Sequence, residues 1–173
     1  MIAIDDILSA WARERPDLDA SPMGTVGRLS RVAAQLDSVL ADDYARWGLD
    51  AGSFDVLFTL VRSGAPYALS PTELAASSMV STAAVAQRLN RLDTAGLVRR
   101  EPNPGDGRGR IVTLTPEGKA IADRALPSHL AAEEGFLAAL DPAQRTQLNG
   151  LLDRLLGTGQ ERPPRPRGAT TLQ

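Results

Sequence analysis

At 173 residues and 43% hydrophobic content the chain can bury one core. Its formal charge of −2 excludes a protein that is basic all over, so any contact with nucleic acid must come from a local concentration of Arg. The absence of cysteine excludes disulfides, thiolate nucleophiles and thiol redox sensing.

Asp5 and Asp6 stand where a secretory signal carries positive charge, and no apolar run approaches the roughly 20 residues of a membrane span. A cytoplasmic protein with no membrane partner is therefore expected. Ile4, Ile7, Leu8 and Trp11 recur at helical spacing and predict a short amphipathic helix over 3–14, ended ahead of Pro16. After a linker, Val26, Leu29, Val32, Ala33, Leu36, Val39 and Leu40 repeat every three or four residues. This predicts a long helix over 25–46 with one apolar stripe, suited to a dimer strut. Ser53 is expected to cap a further helix carrying Phe54, Leu57, Phe58 and Val61 to Gly64.

Ser70-Pro71-Thr72-Glu73 has the pattern of a capping box, so a short helix opens there and stops near Ser78. Ser81 is expected to cap the next helix, in which Val85, Leu89 and Leu92 form the buried row until Gly96 supplies a left-handed end. Leu97-Val98-Arg99-Arg100 and Ile111-Val112-Thr113-Leu114 read as two strands of a hairpin, with Pro102, Pro104, Gly105, Gly107 and Gly109 in a long tip. Thr115-Pro116-Glu117 opens a helix expected to kink or restart at Pro127 and to reach about Leu140. Asp141-Pro142 opens a last helix bearing Leu148, Leu151, Leu152, Leu155 and Leu156. The remainder, GTGQERPPRPRGATTLQ, cannot pack a core and is expected to be disordered.

The fold class that follows is mainly α with a small β-hairpin wing: a winged helix-turn-helix between N- and C-terminal dimerisation helices. The expected segments are 1–47 (N-terminal helices), 48–115 (winged helix-turn-helix), 116–157 (C-terminal helices) and 158–173 (tail). In a helix-turn-helix the first helix lies across the phosphate backbone and sets the second in the major groove. With Val85, Leu89 and Leu92 inward, Thr82, Ala83, Ala86, Gln87 and Asn90 lie mostly outward and Arg88 and Arg91 near the sides. Small residues at the helix start allow close approach to a phosphate. Ser81, Thr82, Gln87, Arg88 and Arg91 are the expected readers of double-stranded DNA, with Arg108 and Arg110 of the wing beside them. From Ser81 to Arg110 six cations face three anions inside an acidic chain, which marks the same stretch electrostatically.

Between Leu49 and Leu140 the chain resembles the MarR family of bacterial regulators: GLDAGSFDVLFTL, LSPTELA, STAAVAQRLNRLDTAGLVRREPNPGDGRGRIVTLTPEGKA and ALPSHLAAEEGFLAAL all fit it. The resemblance implies a homodimer with interlocking terminal helices and two winged domains reading a pseudo-palindrome. It also implies that a wing Asp pairs with an Arg two residues on, here Asp106 with Arg108. The family often has Arg where this chain has Gly107, which loosens the wing tip; Arg110 is placed to compensate.

Enzymatic chemistry finds no support in a chain with one histidine, no cysteine, no set of metal ligands and no Gly-rich phosphate loop, so no catalytic residue, metal or cofactor is expected. His129 is expected to pack or to bond to a partner helix, and Glu133 and Glu134 to form a solvated face. WARERPDLDASPM, ahead of the long helix, resembles the branch of the family that responds to urate and related purines. That resemblance implies a ligand site at Trp11, Asp55, Arg62 and Arg108. An aromatic ring can stack on a flat heterocycle while guanidiniums hold its charge. Trp11 as core and Asp55 with Arg62 as an ion pair on one helix face also fit the sequence. Function is thus expected to be transcriptional repression released by a small anionic aromatic ligand, such as urate or another purine. The alternative is a ligand-independent architectural or partner-recruiting DNA-binding module.

Overall fold

The computed structural model describes the backbone of residues 2–77, 82–103 and 106–158, and their side chains except at 82–84, 106–108 and 158. The Pro/Arg-rich tail, expected to be disordered, lies outside the described residues, as does Ser81. The described chain divides between Glu134 and Gly135 into two compact units.

The first unit opens with α1 (Ile4–Glu14), which lies on α2 (Ser21–Arg46) without burying any residue of its own. Leu8 of α1 reaches the bare surface of Gly24, and Ile4 that of Gly27, so α1 sits in a shallow groove along α2. Arg28 pins it by bonding Asp5 at 2.6 Å, and Arg31 donates to the Ile2 carbonyl at 2.7 Å. Helix α3 (Ala51–Arg62) is capped by Asp50, whose side chain accepts from the Ser53 N–H at 2.7 Å. The expected cap, Ser53, instead lies inside the first turn and is buried. A carboxylate three residues earlier is the stronger acceptor for the free amides of a helix start.

Strand β1 (Ala68–Leu69) precedes α4 (Pro71–Ser77), where the reciprocal bonds of Ser70 and Glu73 complete the capping box. Helix α5 (Thr82–Thr94) buries Val85, Leu89 and Leu92 and ends at Gly96, whose φ of +71° is the left-handed turn that glycine adopts without strain. Strands β2 (Val98–Asn103) and β3 (Asp106–Leu114) form the wing, and β1 adds to the outer side of β3, giving the antiparallel order β1-β3-β2. Two residues are too short to show a strand period, so β1 leaves no pattern in the sequence.

Helix α6 (Pro116–Phe136) runs through Pro127 without a break, so of the expected kink or restart the restart does not occur, and the helix stops short of Leu140. Buried Ala122 and Ala125 anchor it before the proline. Ser128 anchors it after, accepting from Trp47 Nε1 at 3.3 Å and donating to buried Asp43. The core gathers Val56, Leu57 and Leu60 of α3, Leu74 of α4, the α5 row and Val98, Val112 and Leu114 of the sheet. It therefore fixes α5 and the wing against α3. The second unit holds α7 (Pro142–Thr158), opened by reciprocal bonds of Asp141 and Gln144, with Leu151 half exposed. No helix among the described residues is long and apolar enough to cross a membrane.

Candidate functional site

Helices α4 and α5 stand as a helix-turn-helix, with α5 held from below by its buried row and from the side by the wing. Arg100 of β2 donates to Asn90 Oδ1 at 2.6 Å and lies 3.7 Å from Asp93, tying the wing base to α5. Gln87 is exposed on α5 and Arg110 on β3. Arg91 is exposed too, but its guanidinium is drawn to Asp50 at 2.5 Å. Thr82 begins α5; its side chain and that of Arg108 lie outside the described residues, so the expected Asp106–Arg108 pair does too.

Arg88 takes another course. It leaves α5 on the side facing α3, crosses the surface of Gly52, and lines a cavity of about 530 Å³ with Asp55 and Arg62. The cause is steric: residue 52 has no Cβ, so the long side chain finds room there. The walls are aromatic and come from α2, α3 and α6. Phe54 stacks on Phe58 with centroids 4.0 Å apart, and His129 lies 4.6 Å from Phe54 and 5.7 Å from Tyr44. His129 Nε2 is 3.2 Å from Glu133 Oε1 and both residues line the cavity; His129 packs there, while Glu133, expected on a solvated face, keeps 43% of its side chain exposed. Burial pushes the Tyr44 phenol above its ordinary range, and the carboxylates of Glu133, Asp43, Asp37 and Asp55 push it further, so it is a neutral hydroxyl at the wall.

Of the four residues the ligand-site resemblance implies, the structure brings Asp55 and Arg62 together in this cavity. Arg62 also donates to the Ser77 carbonyl at the end of α4. Trp11 lies elsewhere in the chain, in a small hollow with Ala10, Arg13 and Glu14 and 40% exposed. Sequence reasoning missed Arg88, Tyr44 and His129 as cavity residues. The spacing of Tyr44, Phe54 and Phe58 signals an apolar core as readily as a cavity wall. Among the described residues no group of three or more Asp, Glu or His could hold a metal ion.

A volume in this range suits a small organic molecule. Flat aromatic walls with two guanidiniums in the lining suit a planar group carrying negative charge.

Comparison with known proteins bears on both surfaces. Residues 47–109 match the MarR family. PecS, an HTH-type transcriptional regulator of Dickeya dadantii, is 39% identical over 154 residues, which cover 89% of this chain and 93% of that protein. The structure of Sco3205, a MarR family transcriptional regulator from Streptomyces coelicolor in complex with DNA, is similar with a TM-score of 0.74 and 27% identity, over 84% of this chain and 91% of the other. BpsR of Bordetella bronchiseptica, whose DNA binding is regulated by 6-hydroxynicotinic acid, is similar with a TM-score of 0.66 and 26% identity, over 76% of this chain and 98% of the other.

Proposed function

The chain belongs to the MarR family of DNA-binding transcription regulators, and on that premise we propose that it is a homodimeric repressor released from a pseudo-palindromic operator by a small anionic aromatic ligand. The observation that carries this reading is the cavity shared by Arg62 of α3 and Arg88 of α5. A molecule seated there touches the helix that faces DNA, so its binding free energy can be spent on moving that helix.

On the DNA side, Ser81, Thr82, Gln87 and Arg91 read the major groove, and Arg108 and Arg110 of the wing follow the minor groove. On the ligand side, Asp55, Arg62 and Arg88 engage the polar edge of the molecule while Tyr44, Phe54 and Phe58 cover its faces. A purine such as urate fits this chemistry. BpsR supports the class of ligand, because its regulator is a flat, acidic heterocycle. Trp11 joins the purine reading only if α1 approaches the cavity.

Operator binding should be titrated with urate, xanthine, hypoxanthine and salicylate in the wild type, in Asp55→Ala and in Arg62→Ala. Ligand and DNA should weaken each other by about 1–3 kcal/mol, equally in both directions. Stacking on Trp11, followed by its fluorescence in a Trp47→Phe background, decides whether α1 takes part. If no compound releases DNA at millimolar concentration, or if both variants respond as the wild type does, the ligand-released reading fails and the ligand-independent module takes its place.

A further inference from the structure

The place that Arg88 occupies exists only because residue 52 is glycine. A Cβ there would stand 1.6 Å from Arg88 Nε, 2.2 Å from its Cζ and 2.5 Å from its Cδ. Close-packed atoms cannot share such space, so one side must give way. All the atoms that collide belong to the far part of a flexible side chain. The backbone at 52, by contrast, is fixed: Gly52 is buried in the first turn of α3, two residues after the Asp50 cap.

A second observation points to a ligand. Arg88 Nη1 is buried in this position and has no hydrogen-bond partner. A buried guanidinium nitrogen without an acceptor is costly. An acceptor brought into the cavity by a bound molecule removes that cost. The neighbouring cavity residues Asp55, Arg62 and Glu133 place polar groups around the same space.

We propose that Gly52 is a positioning residue for the ligand response: its bare surface is the seat that holds Arg88 in the cavity, and any side chain at 52 turns Arg88 out toward the exposed face of α5 that carries Gln87. Gly52 itself touches neither ligand nor DNA. It decides which of the two Arg88 serves. The ligand arm of this inference rests on the ligand-released reading; the arm concerning DNA does not.

The test uses the full chain with Gly52→Ala and Arg88→Ala, alone and combined. Alanine is favoured over glycine in a helix, so the backbone of α3 tolerates the change. In Gly52→Ala, release of operator DNA by urate and salicylate should weaken about tenfold, within the usual range of such couplings. Without ligand, the salt dependence of operator binding should steepen by about 0.9 in the logarithmic slope as Arg88 takes up a phosphate. In the Arg88→Ala background, Gly52→Ala should change neither quantity.

Should Gly52→Ala fail to fold, the combined variant, which removes the clash, should fold again; failure of that rescue overturns the seat. Equal effects of Gly52→Ala in both backgrounds, or wild-type behaviour of the single variant, overturn it as well. If the wild type itself answers to neither compound, the ligand-released function is what has failed. The salt slopes of the four proteins then decide the seat by themselves.

Discussion

The carboxylate of Asp50 and the guanidinium of Arg91 meet at 2.5 Å, so the residue that caps α3 also restrains α5. One oxygen serves the Ser53 N–H and the other serves Arg91. Burial acts to raise the carboxyl's pKa, but the bonds from Ser53 and the charge and bond of Arg91 outweigh it and hold the group below its ordinary range.

Asp50→Ala should lower stability by about 0.5–2 kcal/mol through loss of the cap. The exposed ion pair adds at most about 1 kcal/mol. Asp50→Asn keeps a capping acceptor and loses only the charge, so it should cost less. Because the carboxyl's pKa is depressed in the fold, its contribution is complete above the ordinary value of 3.8 and disappears as the pH falls through the lowered one. Urea denaturation should show the gap between wild type and Asp50→Asn at about pH 6 and its closure in acid.

On the DNA side, Arg91→Ala should weaken operator binding by about 1–3 kcal/mol and relax its specificity. Arg110→Ala and Arg108→Ala should instead lower the salt slope by about 0.9 each while leaving sequence preference intact. Anisotropy titrations over a salt series, on operator and on scrambled DNA, separate the two behaviours. Unchanged affinity and slope in all three variants would put the reading surface elsewhere.

For the proposed homodimer, Val26, Leu29 and Val32 expose 61%, 45% and 50% of their surface along one stripe of α2. Apolar stripes of this kind are rarely left to water. On α7, Leu151 is exposed by 50%. Leu29→Glu and Leu151→Glu should each shift sedimentation toward a monomer, whereas the wild type sediments as a dimer at micromolar concentration. A monomeric wild type refutes the assembly outright.

What could be read in the sequence was what neighbouring residues decide. The capping pattern of Ser70 and Glu73, the spacing of Val85, Leu89 and Leu92, and the glycine at 96 are each settled within a turn or two, and the structure reproduces them. The destination of Arg88 is settled by a missing side chain in a different helix, and no period of α5 carries that information. The same limit applies to Pro127. Local preference argues for a break, while the burial of Ala125 and the Ser128–Asp43 bond keep the helix continuous. For Trp11, resemblance supplied a grouping with Asp55 and Arg62 that a single chain does not assemble.

The bridge from Arg100 to Asn90 and Asp93 has a geometric consequence. It ties the base of the wing to the second helix, so that in the proposed DNA complex the wing and that helix of one protomer keep a constant phase along the duplex. In the proposed homodimer the two protomers would then match half-sites roughly 34–36 Å apart, one turn of the double helix. With the phase inside each half fixed, every adjustment to a stretched or overwound operator falls on the angle between the halves. A mismatch of a single base pair in half-site spacing should therefore appear as torsion at their junction and not as slack in either reading head.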